Sequence, residues 1–389
     1  MQYKPLIILV SLALARIAFG YQFQTIASLT AELMAKFHLT YSQLGTLIGS
    51  YMMCGAVAAL PLGLFGRRWG EGRILAIGLV LMTGGSWASA MASTMSGVGV
   101  GRAVAGFGAV AMIVLQNKII AEWFTGRAFV MAISVTVCAF PVGMGLAGLV
   151  LPAMNELLGL QAALLTDVVP AGLSLILFVF SYSEPVGAPS GRRRFSLPTG
   201  AECILLAAGG ITWMAYTAGF SGFVSYLPVA LSLRGYGAPL IGAVMAIAMW
   251  GNVVGTLAGG GIAARAGALN VFLFGTVALV VGMFGLMLTA QPIACAFVFG
   301  ILGSIQPGIV MAASTLSAKP ENRAVGMGLF YTIYYVGGSA APTLCGFAAD
   351  YAGRPEGGLL AGAVFSALAI PAFMVHRALT RRGLTLIGA

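Results

Sequence analysis

Twelve stretches of the chain stay apolar for about twenty residues or more, and each is bounded by glycine, proline or charge. They cover residues 5–29, 43–65, 73–93, 97–120, 127–151, 161–182, 201–226, 238–263, 268–289, 291–317, 323–348 and 357–377. At a helical rise of about 1.5 Å per residue, twenty residues cross a hydrocarbon core of roughly 30 Å, so each stretch is predicted to be a membrane-spanning α-helix. The alternation of apolar and polar residues that marks a barrel strand is absent. One break differs from the others: Ser183 to Pro198 (SEPVGAPSGRRRFSLP) is rich in Pro, Gly, Ser and Arg and leaves six spans on either side. The expected organisation is a six-helix bundle over 1–182, a cytoplasmic linker over 183–199 and a second six-helix bundle over 200–389.

Composition agrees with this pattern. Of 389 residues, 59% are hydrophobic and 8% charged, against about 25% charged in a soluble domain. The 55 glycines suit closely packed transmembrane helices, where small residues let backbones approach. The net charge of +10 is spread singly between apolar runs, which argues for topology signals and against nucleic-acid binding. With the amino terminus inside, fifteen basic residues fall on the cytoplasmic side (Lys4, Arg67, Arg68, Arg73, Lys118, Arg127, Arg192, Arg193, Arg194, Arg265, Lys319, Arg323, Arg377, Arg381, Arg382) and three outside (Lys36, Arg234, Arg354). Arg16 and Arg102 remain within helices. Lys4, the following apolar run and Ala13-Leu14-Ala15 imitate a signal peptide, but cleavage would remove a helix that an internal repeat requires. Cys54, Cys138, Cys203, Cys295 and Cys345 lie in or beside apolar spans with no CxxC or His/Cys cluster, and His38 and His376 lie at span ends. Neither a metal nor a cofactor is expected.

The repeat has a long period. Gly63-Leu-Phe-Gly-Arg-Arg-Trp-Gly70 after span two has a counterpart, Gly260-Gly-Ile-Ala-Ala-Arg-Ala-Gly267, after span eight, and Thr125-Gly-Arg-Ala-Phe-Val-Met-Ala132 resembles Glu321-Asn-Arg-Ala-Val-Gly-Met-Gly328. The two pairs are offset by 197 and 196 residues and so agree on the half-length to within one residue. Two copies oriented alike in the membrane are the plan of parallel-repeat transporters, whose site lies near the midplane between the halves. These residues resemble the major facilitator superfamily: the loop is similar to its G-x-L-A-D-R-x-G signature at Gly63, Arg68 and Gly70, with Gly260, Ala263, Arg265 and Gly267 in the second half. Arg102-Ala-Val-Ala-Gly-Phe-Gly-Ala109 is similar to its R-x-x-x-G-x-G-A segment. Glu122-Trp-Phe and Phe140-Pro-Val-Gly143 look loosely like cyanate, nitrate or monocarboxylate-type members. The resemblance implies an all-α fold of twelve helices, a monomer in the bacterial inner membrane and a gating role for Gly63, Arg67, Arg68, Gly70 and Arg265. Arg67 stands where the family has an aspartate, so cytoplasmic closure is expected to rely on other contacts.

None of the ten acidic residues is near the middle of a span; Asp167 is the deepest and the one candidate to pair with a helix arginine. Arg16 is near the middle of span one and Arg102 in span four. A central arginine costs at least about 2.5 kcal/mol on insertion scales and is rarely left facing lipid, and its fork suits carboxylate, nitrate-like or phosphate oxygens. Either arginine could instead tie helices together, Arg102 more readily because it matches a family-wide motif. The repeat puts Trp213 at the position equivalent to Arg16, with Tyr216 on the same face, and Tyr331, Tyr334 and Tyr335 form a stripe in span eleven. With Tyr21, Gln24 and Asn252 these are the substrate-contact candidates; Gln22 and Thr25 can line the same cavity as Arg16, and Gln306, Gln116 and Asn117 are weaker candidates.

The function expected is secondary transport of a small organic or inorganic anion by alternating access, with a co-transported proton or a counter-anion, in contact with membrane lipid. The alternative is an exporter of lipophilic compounds. An intramembrane enzyme would need a nucleophile and base, paired carboxylates or metal ligands at depth, which the placement of Asp, Glu and His does not offer. The asymmetry of basic residues generates the first prediction: a reporter fused at Ala389 reads cytoplasmic, and a periplasmic signal would overturn the orientation.

Overall fold

The computed structural model describes residues 4–182, 197–319 and 322–387. The predicted linker falls almost wholly outside them. Helices follow one another in the order α1 (Lys4–Ser28), α2 (Thr30–Phe37), α3 (Tyr41–Met53), α4 (Gly55–Trp69), α5 (Glu71–Met91), α6 (Met95–Trp123), α7 (Gly126–Leu158), α8 (Leu160–Leu165) and α9 (Val168–Ser181). The second half continues with α10 (Gly200–Leu233), α11 (Ala238–Ala266), α12 (Ala268–Leu288), α13 (Pro292–Gly300), a 3-10 turn at Leu302–Ser304, α14 (Pro307–Leu316), α15 (Arg323–Ala352) and α16 (Glu356–Ile387). There is no strand among the described residues.

Among the described residues, ten segments are long and apolar enough to cross a bilayer. The pair α3 and α4, and the Tyr- and Gly-rich α15, complete the twelve spans of the sequence pattern. Two local differences stand out. The short helix α2 was not expected, and spans two, six and ten are each divided, at Cys54, at Thr166–Asp167 and at Ile301–Gln306. Backbone groups freed at membrane depth must be satisfied by the protein itself. At the second break the carbonyl of Asp167 accepts from Gln22 Nε2 at 3.2 Å, and at the third the carbonyl of Ser304 accepts from Thr256 Oγ1 at 3.1 Å.

The chain forms two compact units. The first comprises residues 1–39, 50–192 and 237–246, and the second 40–49, 193–236 and 247–389. The opening turns of α3 therefore pack with the second unit and those of α11 with the first. In the first unit α1 lies against α7 and α9, and α5 against α6; in the second α10 is flanked by α15 and α16.

The repeated loop signature has a physical basis. Gly70 (φ 91°, ψ 128°) and Gly267 (φ 85°, ψ 136°) occupy equivalent positions and turn the chain from one helix into the next with nearly the same backbone. Left-handed φ of this kind is cheap only for glycine. Close approach explains another glycine: a Cβ on Gly106 would overlap the backbone carbonyl of Tyr51, whereas one on Gly84 would meet nothing within 4 Å. Overpacking a fixed contact costs about 1–3 kcal/mol, so Gly106→Ala is expected to lower the unfolding midpoint. Gly84→Ala, in the middle of α5, leaves the midpoint level or raises it by the better helix propensity of alanine; equal midpoints for the two variants would refute the packing account.

Candidate functional site

Arg16 is the central residue of the 25-residue helix α1. Its guanidinium carbon lies 5.4 Å from the ring centre of Phe19 and 5.8 Å from that of Phe140. Phe19 and Phe140 stack on each other at 4.6 Å, with Phe23 6.0 Å from Phe140. Helices α1 and α7 come close enough for this because each presents a glycine to the other: Gly20 abuts the carbonyl of Phe140, and Gly143 that of Ile17. Aromatic faces stabilise a partly desolvated cation by about 0.5–2 kcal/mol. The planar fork of a guanidinium suits the oxygens of planar oxyanions. Arg16 is half-buried, so the charge is held and still reachable.

Arg102 is placed differently. It is 3% exposed, its Nη1 donates to the carbonyl of Gln22 at 3.0 Å, and its guanidinium lies 5.2 Å over the ring of Tyr51. Gln22 is the hub of this interior network: its Oε1 accepts from Tyr51 Oη at 2.8 Å, and its Nε2 donates to the carbonyls of Asp167 and Met82 at 3.2 and 3.4 Å. Asp167, 6% exposed, accepts from Thr25 Oγ1 at 2.6 Å and is attracted electrostatically by Arg102. Tyr21 belongs here as well, with its hydroxyl 2.8 Å from Thr166 Oγ1. Four helices and the break in span six are thus joined through one buried set of polar groups. Gln24 is completely enclosed, and its amide makes no hydrogen bond to a described residue.

In the second unit the aromatic candidates gather into one cluster. Trp213 lies 5.7 Å from Tyr216, 6.2 Å from Phe330 and 6.4 Å from Tyr334. Tyr334 in turn is 6.4 Å from Tyr331 and 4.9 Å from Tyr335. Tyr216 and Tyr335 are buried, while Trp213, Tyr331 and Tyr334 are half-buried. Asn252 Nδ2 donates to Ser304 Oγ at 2.8 Å beside the break in span ten. Gln306 is taken up within that break, donating to the carbonyl of Gly303 at 3.3 Å and accepting from Thr276.

Of the gating candidates, Gly70 makes the turn described above and Arg265 is exposed in the last turn of α11. Gly63, Arg67 and Arg68 lie on α4 with side chains outside the described residues. Close by, Lys118 and Glu71 form an ion pair between α6 and α5. No group of three or more His, Cys, Asp or Glu among the described residues could hold a metal ion.

Sequence reasoning placed Gln22 and Thr25 on the cavity side of α1 with Tyr21 and Gln24, but missed Tyr51 and Ser304 and gave Phe140 no place beside Arg16. Phe19, three residues from Arg16, was within reach of the helical period. Phe140 offered no signal, because only the packing of α7 on α1 brings it near.

The two arginines should separate in experiment. Removing one partner of a buried charged set costs about 3–5 kcal/mol, so Arg102→Gln is expected to lower thermal stability strongly and Arg16→Ala much less. Equal losses in a thermal-unfolding assay would contradict this division of roles.

The sequence profile of the Major Facilitator Superfamily matches residues 12–342. No curated protein matches the sequence significantly. Among solved structures, a bacterial homologue of the human lysosomal transporter Spinster, in an inward-facing and unoccupied conformation, superposes with a TM-score of 0.74 at 14% identity over 97% of this chain and 98% of its own. The xylose transporter XylE from E. coli gives 0.75 at 15% identity over 94% and 95%. The nucleoside transporter NupG, in a mutant form, gives 0.77 at 14% identity over 95% and 99%.

Proposed function

This chain belongs to the Major Facilitator Superfamily, and we propose that it moves a small anion across the membrane with Arg16 as the principal anion contact. It is a multi-pass membrane transporter of the alternating-access kind. The observation that carries the anion reading is the setting of Arg16: a half-buried guanidinium at the midpoint of a membrane-crossing helix, within 5.4 and 5.8 Å of the ring centres of Phe19 and Phe140. Arg102, enclosed against Gln22 and Tyr51, acts on the fold of the first unit instead of on substrate. Trp213, Tyr216, Asn252, Tyr331, Tyr334 and Tyr335 are the second unit's candidate contacts for the uncharged part of the cargo. A monomer in a bacterial inner membrane, with both termini in the cytoplasm, completes the reading.

A negative interior opposes anion entry by about 2.3 kcal/mol per charge per 100 mV. Uptake therefore requires a co-transported proton or an exchanged anion. The solved transporters of the same fold are named for xylose and for nucleosides, so the anion assignment rests on Arg16 and not on them.

Losing a charged hydrogen-bonding partner from a desolvated site costs about 2–5 kcal/mol. Arg16→Ala is accordingly expected to weaken anion binding at least about thirtyfold, Arg16→Lys to restore part of it because the fork is lost, and Lys36→Ala to change little. A thermal-shift titration of the purified protein with a panel of small carboxylates and inorganic anions reads this directly. Near-native anion affinity in a folded Arg16→Ala protein would sink the proposal and favour export of lipophilic compounds, for which the aromatic cluster of the second unit suffices.

A further inference from the structure

The first unit carries a groove of about 330 Å³ away from the interior network, lined by Gly72, Arg73 and Ala76 of α5 and by Phe178, Val179 and Tyr182 at the end of α9. Phe178 and Tyr182 stack at 4.8 Å with their planes 16° apart. The ring of Tyr182 rests on the bare Cα of Gly72, where any Cβ would overlap it. Phe178 is buried and makes the floor, while Val179, 55% exposed, makes an apolar wall.

Arg73 and Ala76 share one face of α5. Arg73 is exposed and makes no ion pair with any described residue. Its acidic neighbour Glu71 is engaged by Lys118. Helix α5 has 21 residues, about 31 Å, which matches the hydrocarbon thickness. Its first turn therefore lies at the membrane–water boundary, with Ala76 and Val179 one turn further in. The groove thus combines a cation at headgroup depth with apolar walls leading toward the acyl chains.

We propose that this groove binds one anionic phospholipid, with its phosphodiester on the Arg73 guanidinium and the start of an acyl chain along Ala76 and Val179. The planar fork of arginine matches phosphate oxygens. Net lipid charge discriminates, because a zwitterionic lipid would bring its own ammonium group toward Arg73. Free phosphate would leave the apolar wall unused.

The test is native mass spectrometry of the purified full chain, loaded with an equimolar mixture of dioleoyl phosphatidylglycerol and dioleoyl phosphatidylcholine. The wild-type protein is expected to retain phosphatidylglycerol preferentially. One basic contact at a membrane surface corresponds to about a fivefold preference, which Arg73→Gln should remove and Arg73→Lys partly keep. Arg234→Gln is the control, since Arg234 donates to the carbonyls of Leu286 and Thr289 in the other unit at 2.6 and 2.7 Å; it should leave the preference unchanged. No preference in the wild type, or an undiminished one in Arg73→Gln, would overturn the site. A preference lost equally in Arg234→Gln would show general surface charge and overturn it too.

Discussion

A charge or a broken backbone inside hydrocarbon has to be surrounded by the protein itself, because no water is there to do it. In the first unit that requirement is met at Gln22. Its side chain accepts from Tyr51 and donates to the carbonyls of Asp167 and Met82, while its own carbonyl receives Arg102. One glutamine thus connects α1 to the end of α3, to α5, to α6 and to the break between α8 and α9. The break and the network meet at Asp167, whose carbonyl accepts from Gln22 and whose carboxylate accepts from Thr25. A network of this kind stabilises only while every member is satisfied; losing one member leaves buried polar groups exposed to a low dielectric.

The second unit meets the same constraint with fewer charges. Its divided span ten is held by hydroxyl and amide groups, Thr256 and Asn252 on Ser304 and Thr276 on Gln306. Its aromatic cluster around Trp213 stands where the repeat puts a charge in the first unit. The two copies have therefore kept the turn at Gly70 and Gly267 and diverged at the positions equivalent to Arg16. Architecture is preserved at the loop while chemistry differs in the helix.

The chemistry that differs is local to each copy. The first has a guanidinium beside two phenylalanine rings, and the second a cluster of tryptophan and tyrosine rings in that part of the repeat.

The sequence by itself determined the number and approximate places of the spans and the repeated loop between them, because these depend on local quantities: runs of apolar residues matched to bilayer thickness, and the Gly/Arg punctuation that ends them. It also narrowed the site to a few residues, including both arginines. It ranked them only through the family-like motif around Arg102, not through their surroundings. Arg16 and Arg102 look alike along the chain, each alone in an apolar run, and only tertiary packing stacks one on Phe140 and encloses the other against Gln22 and Tyr51. Asp167 is the same case: its burial comes from Thr25 on a helix more than a hundred residues earlier. Whether a charge is enclosed or left reachable depends on which distant groups complete its shell, and neither hydrophobic period nor spacing encodes that.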